Sequence, residues 1–92
     1  MKIFVLKPTQ QHKDNPLWEN SIYRHPIVIR AESELLARNY AADFLMSPQQ
    51  SQTPKSPWID QHIATCELYQ GDLYNREGPL QILYPIEKSI TK

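Results

Sequence analysis

Two glycines and one cysteine in 92 residues are the first constraints on this chain. With glycine only at 71 and 78, no glycine-rich loop that would wrap a phosphate can be built. A lone Cys66 forms neither an internal disulfide nor a cysteine-based zinc site. Net charge is absent too: 10 basic residues balance 10 acidic ones, which leaves no overall field for nonspecific DNA binding. No apolar run approaches the ~20 residues of a membrane span, and the N-terminus lacks the apolar core of a signal peptide. The expectation is a cytoplasmic protein without membrane association.

What the chain has in excess is proline, eight residues, against a hydrophobic content of 40%. That content suits one small globular domain, and a chain this short buries roughly 60–65% of its unfolded surface. The prolines punctuate it. Met1 to Leu6 is a short apolar run ended by Lys7-Pro8. Its β-branched and aromatic content predicts a strand, and its two apolar faces predict an interior position in a sheet. Asn15-Pro16 pairs a capping residue with proline at the first helical position, predicting one helical turn that presents Trp18. Ile27-Val28-Ile29 predicts a second strand over 26–31.

Ser33 to Met46 predicts the one substantial helix. Ala37, Tyr40, Ala41, Phe44 and Leu45 recur at helical spacing with Leu36 beside them, while Glu34, Arg38, Asn39 and Asp43 fall on the remaining surface. Residues 47–57 form a proline-rich loop without a large apolar side chain, and Ser56-Pro57-Trp58 repeats the cap-then-proline start. Ile63 to Tyr69 alternates, with Ala64, Cys66 and Leu68 on the apolar side, and Leu80 to Tyr84 closes the pattern. The fold class is therefore α+β: two layers, one amphipathic helix on a 3–4-stranded, mostly antiparallel sheet in β-β-α-β-β order. A single domain over 1–85 with a frayed tail at 86–92 is expected.

Chemistry is sparse. His62 and Cys66 stand four apart, but on a strand that spacing spans ~13 Å, too far for one zinc. Cys66 shares the apolar side of its strand and reads as an inert thiol. The carboxylates are scattered, with no pair spaced for acid–base work. No catalytic residue, metal ligand or cofactor site is predicted, and the chain reads as a non-enzymatic protein.

Trp18 and Trp58, with Pro57, Tyr23 and Arg24, are the candidates for an interaction surface. Tryptophan offers large contact area and is enriched at interface hot spots. The competing reading is that both indoles fill a small core. The charge is uneven: residues 1–30 carry five cations against two acids, residues 31–46 one cation against three acids, and the rest nets −1. Binding to another protein is therefore the first functional expectation. RNA or single-stranded nucleic acid on a sheet face near Tyr23, Arg24 and Arg30 is the second. A homodimer joined through Leu80 to Tyr84 is the third.

Three stretches together resemble a group of small, uncharacterised bacterial proteins. They are Asn15-Pro16-Leu17-Trp18-Glu19-Asn20-Ser21, then Ile27-Val28-Ile29-Arg30-Ala31-Glu32-Ser33-Glu34 running into Leu36-Ala37-Arg38-Asn39-Tyr40-Ala41-Ala42, then Ser56-Pro57-Trp58. That group shares a D/N-P-x-W-x-x-S element, a V-x-A-x-S-E-x-x-A-R junction and a later P-W. This chain departs from it in having Glu34-Leu35-Leu36 before Ala37-Arg38, and a proline-rich insert before Trp58. The resemblance covers about residues 1–70 and implies a bacterial, intracellular protein; it implies no activity and no site residues.

Overall fold

The apolar run at the N-terminus becomes β1, Lys2–Pro8, in a computed structural model that describes residues 1–47 and 55–90. The prolines at 48 and 54, expected to mark the loop, and residues 91–92 lie outside the described residues. Strands β2 (Ile27–Ala31), β3 (Ala64–Leu68) and β4 (Gln81–Tyr84) join β1 in one antiparallel sheet of order β3-β1-β2-β4. The helix α1, Glu34–Phe44, connects β2 to β3. Both of those strands run antiparallel to β1, so they are parallel to each other with β1 between them. This meets the two-layer α+β expectation and the interior position of the first strand.

Register sorts the two faces of the sheet. Phe4 pairs with Ile29 and Leu68, and Leu6 with Ile27 and Cys66. Phe4, Leu6, Ile27 and Ile29 belong to one core cluster with Ala37, Ala41 and Leu45 of α1, so this face lies under the helix. The helix contributes mostly alanines at the contact, which lets its backbone come close. Trp18 and Trp58 supply the bulk in the same cluster. Ser33 caps α1 by accepting the Leu36 N–H, and Asn15 caps the 3₁₀ turn Pro16–Asn20 by accepting the Leu17 N–H at 2.9 Å. Both caps follow the sequence expectation.

Three local expectations are corrected. Ser56-Pro57-Trp58 starts no helix; Ser56 Oγ accepts the Trp58 N–H in a hydrogen-bonded turn. Arg38 does not lie on the solvent side of α1. Its flexible stem carries the guanidinium inward, where Nη1 donates to the carbonyls of Trp58 (2.9 Å) and Ala64 (2.8 Å). Residues 86–90 hold a hydrogen-bonded turn where a tail is expected. Glu87–Ser89 forms a 3₁₀ turn, and Glu87 Oε2 accepts from Tyr40 Oη at 2.6 Å and from the Ile82 N–H at 2.8 Å. Ile90 packs against the core.

The opposite face of the sheet is closed by a loop instead of a helix. Arg30, paired in register with Ile3, is 7% exposed, and no carboxylate binds it among the described residues. Its Nε donates to Pro79 O, Nη1 to Asn75 O and Nη2 to Gln81 Oε1, at 2.8–2.9 Å. The segment after β3 is thus pinned to the sheet by one side chain. Gly78 fits there for two reasons: its φ is +134°, and an added Cβ would stand 2.5 Å from the guanidinium. Gly78→Ala is expected to lower stability by about 1–3 kcal/mol, the range for a strained backbone conformation. Urea unfolding followed by circular dichroism checks this, and a midpoint equal to wild type would refute it.

Candidate interaction site

The structure moves the two tryptophans from the expected contact surface into the interior. Trp18 is 1% exposed and Trp58 0%, and their rings meet edge to face at 5.1 Å and 88°. Indole N–H groups need acceptors when buried. Trp58 Nε1 donates to Ser21 Oγ at 3.0 Å, and Trp18 Nε1 to His12 O at 3.2 Å. Each ring removes about 150–250 Å² from water, worth roughly 4–6 kcal/mol by area. Truncating either one removes core volume and so cannot serve as an interface test. Pro57 is buried beside them. The residues proposed as a rigid aromatic surface are packed inward because a sheet covered largely by alanines needs that bulk.

Tyr23 is half-buried, packs on the core and meets His25 edge to face. Burial, followed by the neighbouring Tyr84, raises its pKa. Of the five candidates only Arg24 is exposed. The guanidinium of Arg30 is committed to the 75–81 segment, so the nucleic-acid reading loses one of its two cations.

A shallow concavity lies elsewhere. A hollow of about 430 Å³ forms between the first turns of α1 and the turn after Trp58, walled by Glu34, Leu35, Arg38, Ile59, Asp60 and His62. A second hollow of about 330 Å³, walled by Lys55 and Ser56, shares Ile59 and Asp60 with the first. Leu35 is 66% exposed and Ile59 50%, large apolar side chains left in solvent on the lining of one hollow. Arg38 anchors both walls, holding Glu34 on its own helix and the carbonyls at 58 and 64. Asp60 Oδ1 accepts the His62 N–H at 2.8 Å, which shapes the turn. No protein-family model, curated protein or solved structure matches the chain. The site is therefore read from its own geometry.

The sequence held a signal for this site. Leu35 stands outside the apolar stripe of α1, so the core does not account for it. The folding of Ile59 and Asp60 across from it depends on Arg38, whose inward turn periodicity does not reveal.

Cys66 lies under this region and pairs in register with Leu6. Burial, and then the charge of Glu34, push its thiol up to about 11. Burial, and then the hydrogen bond to Glu87, push Tyr40 up to about 12. Neither is poised as a nucleophile near neutral pH. Ordinary values are 9.0 and 10.0, so the unfolded chain releases these protons first as pH rises. The stability these groups contribute is complete below about pH 9 and is lost between about pH 9 and 12. Urea titrations across that range should show the fall, with Tyr40→Phe and Cys66→Ala flattening it. A slope unchanged in both variants would contradict the assignment.

Proposed function

We infer that the protein is a non-enzymatic protein-interaction module whose contact surface is the hollow between α1 and the turn at 59–62. The observation that carries this is the exposure of Leu35 and Ile59 on the lining of one concavity. Apolar side chains gathered in a concave site, with a few polar groups at its rim, suit recognition of a partner. Scattered single exposed side chains would not. The polar rim is Glu34, Asp60 and His62. A cytoplasmic setting goes with this proposal.

The homodimer reading is less well supported. It relies on the last strand accepting a new neighbour, and the Ile82 N–H of β4 already donates to Glu87. At the other edge of the sheet, Ala64 of β3 has its N–H bound to Asp60 O and its carbonyl to Arg38. Edges blunted in this way resist strand addition.

Leu35→Asp and Ile59→Asp are expected to change stability by no more than about 0.5 kcal/mol, as for exposed sites generally. They should weaken capture of a partner recovered from native extract roughly tenfold or more, as for a hot-spot residue. Leu73→Asp, at a residue 83% exposed elsewhere on the surface, is the control. If capture survives both hollow variants, or is lost equally in the control, the reading is wrong.

A further inference from the structure

The walls of the larger hollow also specify what kind of group it takes. We propose that it receives a basic side chain, arginine or lysine, presented by a segment of the partner protein; this rests on the interaction reading above. Glu34 and Asp60 both wall the hollow. Glu34 uses Oε2 to accept from Arg38 Nε at 2.8 Å, and Asp60 uses Oδ1 to accept from the His62 N–H. Among the described residues, the second carboxylate oxygen of each has no hydrogen-bond partner. The Glu34 side chain is half exposed, so its outer oxygen is reachable. The cation on the same walls, Arg38, is buried and turned toward carbonyls at 58 and 64, which leaves the accessible charge of the hollow negative.

Leu35 and Ile59 line the same hollow as these acids. An acidic rim on aliphatic walls complements a long basic side chain. The methylene stem lies on the apolar surface while the head group reaches the carboxylates. Charge-assisted hydrogen bonds to a carboxylate are roughly twice as strong as neutral ones. A volume of about 430 Å³ falls within the ~300–1,000 Å³ usual for small-ligand sites, enough for one side chain and its neighbours. An acidic partner segment would instead meet two carboxylates, with His62 the one accessible basic group on these walls and Lys55 on the adjoining hollow.

The test uses the full ¹⁵N-labelled chain titrated with N-acetyl-arginine amide and, separately, with its citrulline isostere. Citrulline keeps the shape and removes the charge. The arginine probe should shift the amide signals of Leu35, Ile59 and Asp60, and citrulline should bind about two- to fivefold more weakly, the range of a partly exposed ion pair. Asp60→Asn keeps an acceptor for the His62 N–H and should narrow that difference, with Glu34 left as the remaining carboxylate. Equal responses to the two probes, or shifts centred elsewhere, would overturn the proposal. If the arginine probe fails while Leu35→Asp still abolishes partner capture, the interaction reading stands and the basic partner falls. If capture also survives, both fall.

Discussion

The burial of the Trp58 side chain is the constraint on which the rest of the fold depends. Its ring meets Trp18 edge to face, its indole N–H reaches Ser21, and its carbonyl takes a hydrogen bond from Arg38. Three segments far apart in the chain therefore converge on one residue: the Asn15–Ser21 turn, α1, and the Ser56-Pro57-Trp58 turn. An unpartnered indole N–H in the core would carry a desolvation penalty of about 1–3 kcal/mol, so Ser21 is as much a part of this joint as the rings. The same joint gathers the chain on either side of the proline-rich stretch. Asn20 accepts the Ser47 N–H with its carbonyl, and its side-chain amide donates to Lys55 O.

Around that joint the protein uses two buried arginines in place of extra hydrophobic mass. Arg38 ties α1 to the turn at 58–64, and Arg30 ties the segment at 75–81 to the far face of the sheet. Among the described residues Arg30 binds only neutral oxygens, and Arg38 adds the Glu34 carboxylate to its two carbonyls; these bonds tie backbone segments that a short chain cannot hold by packing alone. Removing such a network would leave buried carbonyls without partners, a larger penalty than the net value of the bonds themselves. The small core and these polar ties are complementary: alanine-rich contacts bring the helix close, and arginines fasten what the helix does not cover.

The elements were legible because each follows from local pattern. The alternation at 63–69, the helical stripe of Ala37, Ala41 and Leu45, and the caps at Asn15 and Ser33 all act within a few residues. The proline excess is largely the punctuation it suggested, with Pro16 opening a 3₁₀ turn and Pro8 ending β1. What pattern alone does not carry is side-chain direction over long sequence separation. Arg38 sits at a polar position of the helical wheel, yet its partners lie 20 and 26 residues away. Glu87, in a segment that reads as a tail, is held by Tyr40 from 47 residues upstream. The tryptophans were ambiguous for the same reason, since contact surface and core both favour large aromatic rings. The hollow lined by Leu35 and Ile59 brings together two segments distant in sequence, and Arg38 is bonded to both.

The functional consequence is a division of labour. The residues that look most distinctive in sequence hold the fold, and the surface proposed for a partner is built from Leu35, Ile59, Glu34 and Asp60, which form no motif. The most direct measurement is tryptophan fluorescence of the native chain with acrylamide or iodide as quencher. The account predicts blue-shifted emission and poor quenching of both indoles, with both becoming accessible together on unfolding in urea. Red-shifted native emission, or free quencher access to either ring, would contradict the interior Trp18–Trp58 joint.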